Sequence, residues 1–248
     1  MKNKLLSIKD LSKVYYSGKS EVNAIKDITF DLFEGEFVSI VGPSGCGKST
    51  LLNILTNMDS KTTGEINFLK DNIKLGYMLQ SDSLLSWRTV FDNACLGLEI
   101  THTKTKDNME YVNNLLNTYG LADFKDKYPN ELSGGMRQRV ALIRTLALKP
   151  DILILDEPFS KLDYQSRLSV SDDVYKILKN EGKTAIMVTH DLAEAISIST
   201  RVIVLSGRPC QIKNIYPIER ENDLTPIENR KDKNFSKYYD LIWKNLQV

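Results

Sequence analysis

Hydrophobic and polar residues alternate at residues 5–16 and 25–32 with the two-residue period that is typical of β-strands. Strands are predicted at residues 5–16, 25–32, 37–41, 65–69 and 75–79. A helix is predicted at residues 48–57, directly after a glycine-rich turn. The opening third of the chain is therefore expected to be mostly sheet.

The pattern changes to a helical period between about residues 89 and 150. Helices are predicted at residues 89–100, 106–119 and 133–148. The last of these has one apolar stripe, formed by Met136, Val140, Ile143 and Ala147. Ser133 stands where a capping hydroxyl is expected at the start of that helix. We therefore expect a helical subdomain inserted into an α/β core.

Strands and helices alternate again after residue 150. A continuous apolar run at residues 152–155 has strand length and is typical of a strand buried on both faces of a parallel sheet. The predicted elements that follow are, in turn, helix and strand, at residues 165–180, 184–189, 192–198 and 201–205. This alternation favours a parallel sheet with crossover helices.

A single domain is expected, in three parts. These are an α/β core at residues 1–84 and 151–217, an α-helical subdomain at residues 85–150, and a C-terminal helical extension at residues 218–248. The 31 residues after Pro217 are fewer than the roughly 40 that a free-standing domain needs, so no separate regulatory domain is expected.

The C-terminal extension carries one amphipathic helix. Its apolar side chains fall on one helical face, and they are Phe235, Tyr238, Tyr239, Ile242, Trp243 and Leu246. We expect this face to pack on its own domain, and a contact with a partner or a membrane is the alternative.

The composition narrows the class of protein. Among 248 residues, 33 are Lys or Arg and 32 are Asp or Glu, so the charge balance gives no sign of a nucleic-acid partner. The spacing of Cys46, Cys95 and Cys210 is not that of a disulfide framework or a zinc site. No apolar stretch reaches the length of a signal peptide or a membrane span. A cytoplasmic chain is expected, unless a partner holds it at a membrane.

The glycine-rich turn matches G-x-x-x-x-G-K-[ST] and lies between a predicted strand and a predicted helix. Its backbone N–H groups and the helix N-terminus can surround phosphates. We expect Lys48 to reach the β- and γ-phosphates and Ser49 to hold Mg²⁺. The predicted nucleotide-binding residues are Gly42, Pro43, Ser44, Gly45, Cys46, Gly47, Lys48, Ser49 and Thr50. The turn alone leaves kinases, GTPases, helicases and transport ATPases open.

Two carboxylates follow the apolar run at residues 152–155. A strand in the sheet can bring Asp156 beside the phosphate loop, where it can hold Mg²⁺ directly or through water. Glu157 is expected to accept a proton from the attacking water.

A second anion-binding surface is predicted in the sequence LSGGMRQR at residues 132–139. Ser133, Gly134 and Gly135 offer a hydroxyl, backbone N–H groups and a helix dipole. With this motif the chain resembles the ATP-binding cassette (ABC) family, whose signature is LSGGQ, and Met136 stands in place of the glutamine. The resemblance covers nearly the whole chain.

The resemblance implies an α/β fold of the P-loop NTPase type, with a mixed sheet, an N-terminal antiparallel β subdomain and the inserted helical subdomain. It implies that Tyr15 stacks on adenine and that Gln80 contacts Mg²⁺ or the attacking water. It also implies that His190 binds the γ-phosphate and stabilises the charge of the transition state.

The resemblance further implies a head-to-tail dimer that encloses two ATP molecules. The phosphate loop of one chain would face residues 133–135 of the other, and Asp163 would cross the interface. Other implied partners are a membrane permease and, indirectly, a solute-binding protein. The chain would then lie at the inner face of the cell membrane.

Three classes of cassette compete: importers, exporters or lipoprotein-handling ATPases, and non-transport cassettes. A single cassette without charge bias argues against the last class. Phe159 follows Glu157 and Pro158 as in importers, whereas exporters tend to have Glu-Pro-Thr. Residues 80–87, 162–167 and 189–209 resemble the nitrate/sulfonate/taurine importer ATPases.

One exposed surface is expected to meet the permease. In the family, the region just beyond Gln80 forms a groove for a coupling helix, and here it contains Leu84, Leu85 and Trp87. The alternative is that Leu84 and Leu85 only close the helical subdomain, and the two interpretations are compatible.

Overall fold

The computed structural model describes residues 3–18, 20–222 and 224–247. Its strands are β1 (Lys4–Ser17), β2 (Ser20–Phe33), β3 (Phe37–Val41), β4 (Thr63–Phe68), β5 (Leu75–Met78), β6 (Ile152–Asp156), β7 (Thr184–Val188), β8 (Arg201–Leu205) and β9 (Ile212–Pro217). Its α-helices are α1 (Lys48–Leu55), α2 (Val90–Ile100), α3 (Lys106–Thr118), α4 (Gly134–Leu146), α5 (Tyr164–Asn180), α6 (Leu192–Ile198), α7 (Pro226–Asn229) and α8 (Phe235–Gln247).

A six-stranded sheet forms the centre of the fold, in the order β5-β6-β7-β3-β8-β9. Its strands are parallel except for β9, which runs antiparallel to β8. Because parallel strands end at the same edge, the loops after β3, β5, β6 and β7 meet there. Those four loops contain the phosphate loop, Gln80, Glu157 and His190.

A second sheet is antiparallel, with the order β2-β1-β4. Several register shifts interrupt the pairing of β1 with its neighbours. At Gly64, on β4, φ is +91° and a Cβ atom would lie 2.4 Å from the carbonyl oxygen of Asp10, so only glycine fits this crossing. The pairing of Tyr15 with Val22 places both near the phosphate loop.

The central sheet has a hydrophobic core on each face. On β6, Leu153 and Leu155 belong to a cluster with helices α2 to α5, whereas Ile152 and Ile154 belong to a cluster with α1 and the antiparallel sheet. The continuous apolar run therefore is buried on both faces, as the sequence predicted. The mixed α/β fold with an antiparallel N-terminal sheet is confirmed.

Residues 85–150 contain α2, α3 and α4 and two short 3₁₀ turns, and no strand lies among them. Asn93 fixes the entry to this segment, because its buried side chain donates to the carbonyl oxygens of Leu85, Arg88 and Thr89. The division into a core, a helical subdomain and an extension stays a prediction.

Helix α8 packs its apolar face on its own domain, as expected. Ile242 is fully buried in a third cluster with α6 and β8, and Phe235 and Leu246 pack against that cluster. Trp243, by contrast, keeps 47% of its surface exposed. No helix in the described part of the chain is both long and apolar enough to cross a membrane.

Candidate nucleotide-binding and catalytic site

A cavity of about 430 Å³ opens at the carboxyl edge of the central sheet. Its lining comes from the phosphate loop, from β1 and β2, and from two further loops: Tyr15, Val22, Ala24, Ser44, Gly45, Gly47, Lys48, Ser49, Thr50, Glu157 and Arg208. Six of the predicted phosphate-loop residues therefore face one cavity, together with the predicted aromatic residue and the predicted base.

The phosphate loop is shaped to present backbone donors. Gly47 has a φ of +134°, and a Cβ atom there would lie 3.0 Å from the carbonyl oxygen of Ala24. Helix α1 begins at Lys48 and no side chain caps it, so its first N–H groups are available to an anion. Lys48 Nζ donates to the carbonyl oxygens of Gly42 and Pro43 at 2.7 and 2.8 Å.

Two buried thiols meet at the phosphate loop: Cys46 belongs to the loop, and Cys210 lies in the segment before β9. The Cys210 thiol donates a hydrogen bond to Cys46 and lowers the pKa of Cys46, and the positive charge of Lys48 acts in the same direction. Cys210 also pairs with the β2 backbone, because its N–H donates to Ala24 at 3.0 Å and its carbonyl accepts from Lys26 at 2.9 Å. The loop before β9 is thereby attached to the cavity wall.

Tyr15 lies at the rim of the cavity with 40% of its surface exposed. Its hydroxyl donates to Asp59 Oδ2 at 2.6 Å, and Lys13 Nζ lies 4.7 Å from the ring centroid. Lys13 also pairs with Asp59 at 2.7 Å. These contacts fix the ring orientation, and the ring lines the cavity.

Three predicted catalytic side chains meet at the end of β6. Glu157 Oε2 accepts from Gln80 Nε2 at 3.0 Å and lies 3.3 Å from His190 Nδ1. The Glu157 backbone adopts a left-handed φ of 44°, and its N–H donates to the Val188 carbonyl at 2.8 Å. Strained backbone of this kind concentrates at functional sites.

Asp156 lies one residue earlier in a more enclosed position. Burial raises the pKa of Asp156, and the negative charge of Glu157 adds to that increase. The hydroxyl of Tyr77 donates to Asp156 Oδ2 at 3.3 Å, and the Lys48 charge opposes the increase in pKa. A cation beside Asp156 would favour its ionised form for the same reason that Lys48 does.

The available donors fit Mg²⁺. Among the described residues no group of three or more His, Cys, Asp or Glu side chains could hold a metal ion. Mg²⁺ does not need such a group, because it is usually bound through one or two carboxylates together with substrate phosphates and water. Ser49, Gln80 and Asp156 supply oxygen ligands of the kind that it prefers.

The second predicted anion surface is shaped for close approach. Ser133 caps α4 by accepting from the N–H of Met136 at 3.3 Å, as predicted. A Cβ atom at Gly134 would lie 3.2 Å from Leu162, and one at Gly135 would lie 3.0 Å from Val170. A side chain at either glycine would be tight against its neighbour, and Leu162 or Val170 would have to shift by a few tenths of an ångström to admit it.

The structure does not bring this surface to the cavity of the same chain. Among the described residues that line the cavity, none comes from residues 133–135. Asp163 also lies outside the lining, where its carboxylate caps α5 by accepting from the N–H of Ser166 at 3.1 Å.

Sequence reasoning did not identify two arginines near the site. Arg208 lines the cavity and donates to the Gly45 carbonyl at 2.9 Å. Arg167, on α5, lies 3.3 Å from Asp191, next to His190. Both stand in stretches that resemble the importer group, but neither has a local motif that reveals its contacts, which are made across loops distant in sequence.

Comparison with known proteins agrees with this geometry. Residues 25–160 match the family model described as ABC transporter. An uncharacterized ABC transporter ATP-binding protein of Bacillus subtilis, YtlC, is 42% identical over 97% of this chain and 95% of its own length. The nitrate import ATP-binding protein NrtD of Synechocystis sp. is 37% identical over 96% of this chain and 93% of its own.

A solved structure supports the same family assignment. The dimeric, post-hydrolysis state of an ATP-binding cassette bound to ADP and Pi superimposes with a TM-score of 0.73 at 30% identity, over 87% of this chain and 99% of that chain. The chain belongs to the ABC transporter family and is an ATP-binding ATPase of that family.

Proposed function

We propose that this ATPase is the energising subunit of a solute importer of the nitrate/sulfonate/taurine group, working on a separate membrane permease. The meeting of Gln80, Glu157 and His190 beside the phosphate loop carries the hydrolytic part of the proposal, and similarity to import proteins carries the rest. Such a cluster suits hydrolysis of ATP to ADP and phosphate, because it places a base and polar ligands where the terminal phosphate would lie.

Each side chain has a distinct role. Glu157 accepts a proton from the attacking water, and its contact with Gln80 holds the carboxylate in place. His190 donates toward the γ-phosphate and stabilises the charge that develops there. Lys48 binds the β- and γ-phosphates after leaving its carbonyl partners in the loop. Tyr15 stacks on adenine at the rim of the cavity.

Mg²⁺ would be held by Ser49, Gln80 and Asp156 together with the nucleotide. Bound there, it would neutralise negative charge on the phosphates during hydrolysis. The protein's own contribution is to keep Asp156 enclosed behind Tyr77, so that its carboxylate has few competing water contacts.

A second copy of the chain completes the site. Ser133, Gly134 and Gly135 lie outside the cavity of their own chain, yet their N–H groups and hydroxyl form an anion surface. In a head-to-tail dimer that surface would close over the partner's ATP, and Asp163 would cross the interface. The dimeric solved relative supports this arrangement.

Import is favoured over the alternative of an exporter or lipoprotein-handling system. Similarity to a nitrate import protein over nearly the whole chain supports it. Phe159, which resembles the importer pattern, is fully buried in the core beside α5, so its identity also serves packing. The solute-binding protein would contact the permease only, at the opposite membrane face.

Trp87 marks the surface for the permease. It is 73% exposed, whereas Leu84 packs into the helical core. Arg144 donates to the carbonyl oxygens of Asp82 and Ser83 at 2.7 and 2.8 Å, which ties this segment to α4. A permease helix at Trp87 would therefore act on α4, which Ser133 caps, and would hold the subunit at the inner membrane face.

The test is the variant Glu157→Gln. The amide keeps the shape and the contact to Gln80 but cannot accept the proton, so ATP binding should persist while turnover is lost and an ATP-bound dimer accumulates. Nucleotide affinity, phosphate release and light scattering measure the three properties. Glu65→Gln, on exposed β4, serves as the control. Undiminished hydrolysis by Glu157→Gln would contradict the proposed role.

A further inference from the structure

The side chain of Arg167 joins two loops that the proposed function uses separately. Its Nη2 donates to the Leu162 carbonyl at 3.2 Å, directly before Asp163. Its Nη1 donates to Asp191 Oδ2 at 3.3 Å, directly after His190. One guanidinium therefore spans the segment of residues 160–163 and the loop of residues 189–191.

Hydrogen bonds hold both residues that flank His190 in the sequence. Thr189 Oγ1 donates to Glu194 Oε2 at 2.7 Å, and Asp191 caps α6 by accepting from the N–H groups of Ala193 and Glu194 at 2.8 and 3.1 Å. Glu194 is only 3% exposed and lies 3.6 Å from Arg167 Nε. Arg167 therefore lies against both Asp191 and Glu194, so Arg167 and the His190 loop form one unit.

The contacts at this position suit an arginine side chain better than a lysine side chain. The planar guanidinium has donors in a fixed fork and can serve a carbonyl and two carboxylates together, whereas a lysine ammonium is a single point of charge. The buried Nε of Arg167 has no hydrogen-bond partner among the described residues and stops short of Glu194. A shift of a few tenths of an ångström would complete that bond.

We propose that Arg167 is a positioning residue that sets His190 according to the placement of residues 160–163. The proposal rests on the dimer of the proposed function, because in that dimer Asp163 contacts the partner chain. A partner chain that contacts Asp163 would displace the Leu162 carbonyl and the Arg167 side chain that bonds to it. Arg167 would in turn move Asp191 and, with it, the neighbouring imidazole of His190. ATP binding lies outside this route, because Arg167 does not line the cavity.

The experiment compares Arg167→Ala and Arg167→Lys with wild type in single-turnover hydrolysis at saturating ATP. Arg167→Ala should lower the rate about tenfold or more, since a displacement of about 1 Å can cost about a hundredfold. The Kd for ATP should stay unchanged. Arg167→Lys should fold, as shown by its melting temperature, and should recover little of the rate because it lacks the fork.

Arg201→Ala is the matched control. Arg201 is similarly enclosed, pairs with Glu36 at 2.9 Å and also has a buried Nε without a partner among the described residues. It touches neither loop, so its loss should leave the rate unchanged.

A second comparison asks whether Arg167 acts through His190. In a His190→Ala background, adding Arg167→Ala should slow single-turnover hydrolysis no further. Two independent effects that multiply would overturn the proposal, as would an unchanged rate in Arg167→Ala alone. ATP-dependent dimerisation is followed in Glu157→Gln with and without Arg167→Ala. Loss of dimer in Glu157→Gln itself would contradict the proposed function, whereas loss only on adding Arg167→Ala would contradict the inference drawn for Arg167.

Discussion

The carboxylate of Glu157 lies 3.3 Å from Nδ1 of His190, and the two residues follow neighbouring strands of the central sheet. The Glu157 backbone that presents this carboxylate is left-handed, with a φ of 44°. Residues other than glycine rarely adopt this conformation, because Cβ approaches the following carbonyl oxygen. The contact is thus made from a strained backbone.

Replacing Glu157 with glycine should release that strain. Glu157→Gly is expected to exceed Glu157→Ala in its free energy of unfolding by about 0.5–1 kcal/mol, because relief of the left-handed strain outweighs the added flexibility of unfolded glycine. Both variants should lose turnover. Urea unfolding measures the difference. Ser160 lies in the same turn but has no positive φ. There the variant Ser160→Ala should be more stable than Ser160→Gly. A Glu157→Gly chain less stable than Glu157→Ala would show that no strain is stored there.

Arg208 should contribute to nucleotide affinity. Its bond to the Gly45 carbonyl holds the phosphate loop, and its charge lies at the cavity. Loss of one such bond costs about 1–1.5 kcal/mol, so Arg208→Ala should weaken ATP binding about five- to tenfold. Titration calorimetry checks this expectation. The nearby Lys213 donates from its amine to the Asn245 carbonyl oxygen. The variant Lys213→Ala should therefore bind ATP like wild type. Equal affinity for Arg208→Ala and wild type would refute the contribution.

Glu194 should make stability depend on pH. Burial is the main cause that raises the pKa of Glu194 to about 7 from its ordinary 4.5. The folded chain therefore binds this proton more tightly than the unfolded chain, and the stability from this group is present below about 4.5 and is lost as the pH rises through about 7. Glu194→Gln, whose amide oxygen can still accept from Thr189, should remove this dependence. Urea midpoints at several pH values between those limits provide the measurement, and parallel slopes for the two proteins would contradict it.

Trp87 should matter for transport and not for isolated hydrolysis. Because Trp87 is exposed and lies apart from the cavity, Trp87→Ala should hydrolyse ATP normally as a purified subunit. Reconstituted with its permease, the variant should transport several-fold less solute, because exposed aromatic anchors often dominate an interface. Leu69→Ala removes a side chain that is 56% exposed on another surface and provides the comparison. Full transport by Trp87→Ala would place the docking surface elsewhere.

Local pattern was sufficient for most of the sheet and helices. Helix α6 and strand β8 begin and end where the sequence predicted, because a continuous apolar run is typical of a buried strand and because Asp191 caps the start of the helix. Helix α7 was missed. It has only four residues, and tertiary contacts hold it: Asn229 donates to the Ser197 carbonyl, and Asp172 accepts from the N–H of Ile227.

Some residues of the candidate site could likewise be predicted from local sequence, and others could not. Phosphate-loop residues and Glu157 were predicted because short motifs specify them, and the structure places them around one cavity. Arg167 and Arg208 were not, because an arginine in a polar stretch has no local signature of its partner. Their roles arise only when β7 and β8 bring separate loops together at one edge.

Strands β5 and β6 pair directly, with Met78 beside Leu155, although all of residues 79–151 lie between them in the chain. The spacing of Gln80 and Glu157 is thus set by adjacent strands about 4.8 Å apart, and not by the length of the helices in between. A relative's segment that spans the position of Trp87 and α2–α4 could be grafted between these strands without spreading the two side chains. Such a hybrid would keep its chemistry and exchange the transporter that it serves, so that hydrolysis and choice of membrane partner could evolve independently.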